Sequence, residues 1–153
     1  MQKGAAVVGA TGFVGSHIVN HLLGLGYHVR CSSRDPDAAG WLQSLTDDAK
    51  EKVSIHTLLM SPAGPDDPAM LDALCQGCSA VFFAAGHERQ EPETIDFMCN
   101  NALGVIAAAQ RNSLGAVVLT SSGGSTNAPG ITDEIPKKEH EHWSDHEAQI
   151  AKG

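Results

Sequence analysis

The amino-acid sequence predicts an α/β domain in which helices cover both faces of a doubly wound parallel sheet. Two observations support this fold class. Short apolar runs alternate with segments of helical periodicity from residue 5 to residue 120, and a glycine-rich turn joins the first run to the first helical segment. Strands that alternate with helices form parallel sheets, because right-handed crossovers bring each new strand back in the same direction.

The first strand and the first helix are the most clearly marked elements. Residues 5–8 are a continuous apolar run that stops at Gly9, which is typical of a strand buried on both faces. Apolar side chains then recur at spacings of three and four, as on one side of an amphipathic helix, and glycines at 24 and 26 end it. The members of this stripe are Val14, Ile18, Leu22 and Leu25.

The remaining elements continue the alternation. The predicted strands are residues 27–32, 53–59, 80–84 and 116–120. The predicted helices are a looser one around Trp41, Leu42 and Leu45, a short one over residues 69–75 and a longer one over residues 94–112. On the last helix, one face is expected to carry Ile95, Met98 or Cys99, Ala102 and Ile106. Prolines and glycines at positions 62–68 mark a turn-rich connection between the third strand and the short helix.

Composition and charge exclude several classes of protein. The 153 residues include 10 Lys and Arg against 18 Asp and Glu, for a formal charge of −8. This balance argues against nucleic acid or a membrane surface as a partner. No apolar run approaches the roughly 18–20 residues of a membrane span. The first residues enter a strand-like run without a signal-peptide pattern, and four cysteines are too few for a disulfide scaffold, so we expect a cytoplasmic protein.

The turn after the first strand predicts a phosphate-binding site. Gly9, Gly12 and Gly15 stand at spacings of three between a strand and an amphipathic helix. The first glycine permits a tight turn, the second lets the backbone approach a pyrophosphate, and the third lets the helix lie close to the strand. The amino end of the helix then faces the phosphates. In this context the spacing predicts binding of a dinucleotide.

The end of the second strand indicates which dinucleotide binds. An acidic residue there binds the ribose 2′-hydroxyl of NAD, whereas an arginine accommodates the 2′-phosphate of NADP. No acid precedes Asp35 in this segment, and Arg34 follows Ser32 and Ser33. A guanidinium can hold a phosphate through two hydrogen bonds. The sequence therefore favours NADP(H) over NAD(H).

Several short motifs follow one another along the chain. They are Gly-Ala-Thr-Gly-Phe-Val-Gly-Ser at 9–16, Gly-Tyr-His-Val-Arg at 26–30, Arg-Asp-Pro at 34–36, Gly-Cys-Ser-Ala-Val-Phe-Phe-Ala-Ala-Gly at 77–86, Asn-Ala-Leu-Gly at 101–104, Val-Leu-Thr-Ser-Ser at 118–122, Asp-Glu at 133–134 and Trp-Ser-Asp at 143–145. In this order they resemble the extended short-chain dehydrogenase/reductase family, and the branch they resemble most is the group of dihydroflavonol 4-reductases and cinnamoyl-CoA reductases. The resemblance implies a Rossmann-type domain over residues 1–120, followed by an incomplete substrate-side loop and exposed polar segment over residues 121–153.

The resemblance also implies roles for individual residues. In the glycine turn it places Thr11, Phe13 and Val14 beside the cofactor together with the three glycines. It matches Arg34 to the arginine of the 2′-phosphate site, and Ala84, Ala85 and Gly86 to the segment under the nicotinamide-side ribose. Ser122 matches the catalytic serine, whose hydroxyl polarises a substrate carbonyl for hydride attack. No metal is implied.

Two departures from the family pattern qualify these expectations. Leu59 and Met60 stand where the family carries an Asp-Leu pair that meets the adenine amine. The family also uses a Tyr-x-x-x-Lys pair, yet Tyr27 is the only tyrosine here. The chain is therefore expected to be the first half of a reductase, with an uncovered apolar face on the fourth and fifth strands that invites a partner chain or self-association. Its substrate would be a small-molecule carbonyl compound.

Three functional hypotheses remain open at this stage. The first is the NADPH-binding part of a carbonyl reductase; the second is a catalytically inactive NADP-binding module or truncated gene product; the third is a relative of sugar-nucleotide epimerases and dehydratases. Cys75 and Cys78 have the spacing of a redox or zinc pair but no second pair follows, and we expect Cys78 to be the buried one. Histidines at 140, 142 and 146 are expected to belong to a solvated polar segment.

Overall fold

A computed structural model describes residues 3–86 and 92–121. The strands of its main sheet are β1 (Gly4–Val8), β2 (His28–Ser33), β3 (Val53–Thr57), β4 (Ala80–Phe83) and β5 (Ala116–Leu119). The helices are α1 (Phe13–Gly24), α2 (Ala49–Lys52), α3 (Pro68–Cys75) and α4 (Pro92–Arg111), with a 3-10 turn at Gly40–Ser44.

The five strands are parallel and lie in the order β3-β2-β1-β4-β5. The predicted doubly wound sheet is therefore confirmed. Val8 pairs with Phe83, and Phe83 pairs with Leu119, so the carboxyl ends of the central strands share one edge of the sheet. The chain reverses its direction of progress across the sheet between β1 and β4, and ligands of such sheets bind in the crevice at this point.

The central strand β1 supplies both halves of the core. Ala5 and Val7 belong to a cluster with Val19 of α1, whereas Ala6 and Val8 belong to a second cluster on the other face of the sheet. Successive side chains of a strand point to opposite faces. Because both faces are covered, all four residues are fully buried, which explains the uninterrupted apolar run in the sequence.

Helix α1 presents a different face to the sheet than its apolar stripe indicates. Its buried residues are Gly15, Val19, Leu22 and Leu23. Val14 is 46% exposed and Leu25, just after the helix, is 58% exposed. These two residues line a shallow apolar groove of about 580 Å³ that also contains Ile18, Tyr27 and Phe82. Helix α1 is rotated in this way because Gly15 lies in close contact with the carbonyl oxygen of Gly9 in the preceding turn.

Helix α4 also buries a different stripe from the predicted one. The buried residues are Phe97, Asn101, Val105, Ala108 and Ala109, whereas the predicted positions, such as Met98 and Ala102, are only partly buried. A buried asparagine therefore occupies the centre of the packed face. Its polarity is the reason that hydrophobic periodicity alone selects the neighbouring face.

A short antiparallel hairpin, Met60–Ser61 with Gly64–Pro65, was not predicted and docks on α4. The side-chain amide of Asn101 donates to the carbonyl oxygens of Ser61 and Phe97, both at 2.8 Å. Asn100 donates to the Pro62 carbonyl at 2.7 Å. The asparagine pair thus binds the backbone of the proline-rich connection, which is why this connection is ordered as a hairpin.

The apolar side chains of β5 remain uncovered, as predicted for the fifth strand. Val117, Val118 and Leu119 are 37–46% exposed. On β4 the prediction was wrong for one face, where Val81 and Phe83 are buried against α3 and α4, whereas Phe82 on the other face is only partly buried and lines the apolar groove beside α1. Within the described ranges, no helix is both long and apolar enough to cross a membrane.

Candidate cofactor-binding site

The first glycine of the turn allows the loops after β1 and β4 to meet. Gly9 has a φ of +80°, a conformation that favours glycine. A β-carbon at Gly9 would lie 2.6 Å from the backbone nitrogen of Ala85 and 2.8 Å from the carbonyl carbon of Ala84. Any other residue would push these two loops apart. The structure therefore brings together two segments, at 9 and at 84–85, that the sequence assigned separately to the cofactor.

The third glycine sets the distance between α1 and the turn. A β-carbon at Gly15 would lie only 2.0 Å from the carbonyl oxygen of Gly9 and 2.9 Å from the Cα of Ala10. These contacts are with backbone atoms, which cannot rotate away. Glycine at this position consequently lets the first turn of the helix rest directly on the chain that leaves β1.

The second glycine stands at the open amino end of α1. Gly12 is the N-cap residue, no side chain caps the helix, and its first turn contains no acidic residue. The nearest atom to a β-carbon at Gly12 would be the Gly9 carbonyl oxygen at 3.4 Å. The first amides of a helix have no partner within it, and the helix dipole is positive here. This end of the helix can therefore accept an anionic group such as a pyrophosphate.

The hydroxyl of Ser32 links the glycine turn to the end of β2. The Gly9 amide donates to the Ser32 Oγ at 3.0 Å, across 23 residues of sequence. Ser32 is buried. The sequence located this serine near the expected ribose site but did not reveal the bond; a small hydroxyl residue at the end of the strand beside a glycine turn is the only local signal. The bond fixes the turn relative to the neighbouring strand.

The arginine expected to select the cofactor lies just past β2. Arg34 is exposed, and within residues 3–86 and 92–121 no hydrogen bond or ion pair holds its guanidinium. The carboxylate of Asp35 accepts hydrogen bonds from the amides of Asp37 and Ala38, at 3.1 and 3.2 Å. The carboxylate of the residue next in sequence is thus directed toward the following turn, whereas the guanidinium is available to a ligand.

The segment after β4 forms the other wall of the crevice. The Ala84 amide donates to the Val8 carbonyl oxygen at 2.8 Å, which extends the pairing of β4 with β1 by one residue. Ala84 and Ala85 are half-buried, and Gly86 is exposed. Small side chains at these positions leave the crevice open toward the glycine turn.

Three further residues that the resemblance assigned to the cofactor are exposed around the same turn. Thr11 and Val14 are exposed, and Phe13 is 83% exposed; its ring makes a T-shaped contact with the His17 ring at a centroid distance of 4.8 Å. An aromatic side chain left largely in solvent is available for contact with a ligand or with another part of a larger protein.

Other residues singled out in the sequence lie elsewhere. Ser122, the candidate catalytic serine, is outside the described residues, and so are the histidines at 140, 142 and 146. Tyr27 precedes β2 at the opposite edge of the sheet, where the Lys3 ammonium lies 5.8 Å from its ring centroid. Leu59 is exposed, and its carbonyl oxygen accepts from the Asp66 amide at 3.0 Å.

The cysteine pair is not part of this site. Cys75 is fully buried and Cys78 is only partly buried, the reverse of the expected arrangement, because Cys75 is on the face of α3 that packs against the sheet. Burial raises the pKa of both thiols, that of Cys75 to about 11. No group of three or more His, Cys, Asp or Glu residues that could hold a metal ion occurs in the described part of the chain.

Comparison with known proteins agrees with this geometry. A family model described as NAD(P)H-binding matches residues 9–152. The chain is 36% identical over 143 residues to dihydroflavonol 4-reductase of Dianthus caryophyllus, and the matched region covers 90% of this chain and 38% of that protein. It is 33% identical over 142 residues to cinnamoyl-CoA reductase 1 of Oryza sativa subsp. japonica, covering 92% and 40%, respectively.

A solved structure shares the fold. The crystal structure of vestitone reductase from alfalfa (Medicago sativa L.) superposes on this chain with a TM-score of 0.72 at 23% sequence identity. The superposed region covers 99% of this chain and 49% of the vestitone reductase chain. The chain thus spans about two fifths of the length of the curated relatives named above and about half of this structure.

Proposed function

The chain belongs to the NAD(P)H-binding family whose model matches almost its whole length, and from this premise we propose that it is the NADP(H)-binding portion of a dihydroflavonol-4-reductase-like oxidoreductase, which transfers a hydride from NADPH to a carbonyl substrate. The observation on which the proposal rests is the contact of Gly9 with Ala84 and Ala85 at the switch point of the sheet. This contact joins the glycine turn and the carboxyl end of β4 into a single crevice.

The residues around the crevice fit a dinucleotide. The uncapped end of α1 offers the amides of Phe13 and Val14 to the pyrophosphate, whereas the Gly12 amide donates to the Gly9 carbonyl oxygen at 3.1 Å. The alanines at 84 and 85, followed by Gly86, leave space for the nicotinamide-side ribose. Gly9 itself contributes no amide to the ligand, since its N–H donates to Ser32. When bound, NADPH supplies the hydride, and these residues hold and orient it.

The preference for NADP(H) is supported by Arg34. Its guanidinium is exposed, and Asp35, the nearest carboxylate along the chain, is directed toward backbone amides rather than toward a ribose hydroxyl. A guanidinium favours a 2′-phosphate through charge and through paired hydrogen bonds. The remaining part of the proposal, reduction of a carbonyl compound, is supported by the names of the relatives and by the match of Ser122 to a serine that polarises the carbonyl oxygen.

The proposal is tested by equilibrium titration of the purified chain with NADPH and with NADH. We expect NADPH to bind at least about tenfold more tightly, since a charge-assisted contact to the 2′-phosphate adds about 1.5–3 kcal/mol. Arg34→Ala should remove the difference by weakening NADPH binding alone. Equal affinities of the wild-type chain for the two cofactors would contradict the assignment of NADP(H).

A second candidate function is a module that binds NADP(H) without turnover. It is supported by the position of Tyr27, which lies at the edge of the sheet opposite the crevice, and by the lack of a Tyr-x-x-x-Lys sequence in these 153 residues. Under the first proposal, the proton donor comes from residues outside these 153 or from a partner chain. NADPH consumption by this chain alone, abolished by Ser122→Ala, would exclude the module.

A further inference from the structure

The turn that presents Arg34 is held by the side chain before it. The Ser33 Oγ donates to the carbonyl oxygen of Asp35 at 2.7 Å and accepts from the Asp35 amide at 3.1 Å. Both bonds close around Arg34, so they constrain the backbone on each side of it. The hydroxyl of Ser33 has thereby used its donor and an acceptor position within the protein.

Ser33 is itself fixed by the sheet. It is the last residue of β2, it is 7% exposed, and its carbonyl oxygen accepts from the Leu58 amide at 3.0 Å, just beyond β3. The turn therefore projects from a rigid strand end, and the exposed guanidinium is the part of it that can reach a ligand.

The same turn determines where the carboxylate of Asp35 points. Because the Asp35 backbone is held by Ser33, its carboxylate can accept from the amides of Asp37 and Ala38. Without the Ser33 hydroxyl, the turn could relax and allow this carboxylate to pair with Arg34 or to approach the 2′-substituent. Both changes would weaken binding of a phosphate and leave binding of a hydroxyl unaffected or improved.

We propose that Ser33 is a positioning residue for cofactor selection: its hydroxyl sets the Arg34–Asp35 turn so that the guanidinium meets the 2′-phosphate of NADP(H) and the carboxylate is held away from it. The proposal rests on the preference for NADP(H) proposed above and deepens it. Ser33 acts through Arg34, since the donor of its own hydroxyl is occupied by Asp35.

The test compares Ser33→Ala, Ser33→Thr and Arg34→Ala with the wild-type chain, using NADPH, NADH and the fragments 2′,5′-ADP and 5′-AMP as titrants. Ser33→Ala should weaken binding of NADPH and 2′,5′-ADP by about five- to tenfold, the equivalent of one hydrogen bond. Binding of NADH and 5′-AMP should change by less than about twofold, well below that equivalent. Ser33→Thr keeps the hydroxyl and should restore most of the loss.

A matched control and a second readout separate positioning from folding. Ser54→Ala on β3 removes an exposed serine whose Oγ forms a hydrogen bond with the His56 ring at 3.0 Å, and it should leave all four affinities unchanged. In the wild-type chain, NADPH binding should weaken with added salt more steeply than NADH binding, since the guanidinium–phosphate attraction is screened. Ser33→Ala should reduce this difference in slope.

Each other outcome has a distinct meaning. Equal weakening of all four titrants by Ser33→Ala would show a general structural role and overturn the positioning role. If Ser33→Ala retains the preference for NADPH over NADH and Arg34→Ala loses it, this inference is overturned and the proposed NADP(H) specificity stands. If the wild-type chain shows no preference and Arg34→Ala changes nothing, the proposed NADP(H) specificity and this inference both fail.

Discussion

Gly15 rests against the carbonyl oxygen of Gly9 so closely that a β-carbon at Gly15 would lie 2.0 Å from that oxygen. We therefore expect Gly15→Ala to displace α1 from the glycine turn. Overpacking against backbone atoms should lower the free energy of unfolding by about 1–3 kcal/mol and abolish NADPH binding. Urea unfolding followed by circular dichroism, together with an NADPH titration, measures both effects.

Gly24→Ala is the matched control for this prediction. Gly24 is the last residue of the same helix, it is exposed, and a β-carbon there would meet nothing within 4 Å. Helix propensity alone should leave stability unchanged or raise it by up to about 1 kcal/mol. If both variants unfold at the same urea concentration as the wild-type chain, the close contact at Gly15 does not exist in solution.

Alkaline pH should destabilise the chain through Cys31. Burial in the core beneath α1 raises the pKa of this thiol from 9.0 to about 12. A raised pKa in the folded state means that stability is complete below the pKa of the unfolded thiol and declines as pH rises toward the folded value. Between about pH 9 and pH 12, one such group lowers the free energy of unfolding by about 1.4 kcal/mol per pH unit.

Urea unfolding at pH 8, 9 and 10 checks this dependence. Cys75, also buried and with its pKa raised to about 11, contributes in the same direction. The comparison is therefore between variants: Cys31→Ala should show a shallower decline than Cys99→Ala, which replaces an exposed cysteine. Identical slopes for the two variants would contradict the assignment to Cys31.

The uncovered strand β5 should make the isolated chain self-associate. Val117 and Leu119 point to one face of the sheet and Val118 to the other, all three are exposed, and exposed apolar surface of this kind is typical of interfaces. We expect Val118→Lys to lower the fraction of oligomer in sedimentation velocity experiments at a fixed concentration. Leu103→Lys, which changes a 63% exposed leucine of α4, is the control and should have a smaller effect. A monomeric wild-type chain would exclude this surface as a self-association site.

The sequence predicted those features that depend on neighbouring residues. Three glycines at fixed spacing, an arginine after a strand and an alternation of periods each have a local chemical meaning, so the order of elements, the parallel sheet and the glycine turn were predicted from them. The predicted strand limits differ from those of the structure by at most two residues at either end.

Tertiary contacts decided the rest. Hydrophobic periodicity identified α1 but not its buried face, because Gly15 has no side chain to contribute to the pattern, yet its contact with Gly9 fixes the rotation of the helix. Likewise, Asn101 does not contribute to the apolar pattern, although hydrogen bonds from its side-chain amide order the hairpin, where the sequence predicted only a turn-rich connection. The bond from Gly9 to Ser32 joins residues 23 positions apart that only the pairing of β1 with β2 makes neighbours. Composition and spacing are local properties of a chain, whereas these three contacts depend on how distant segments pack.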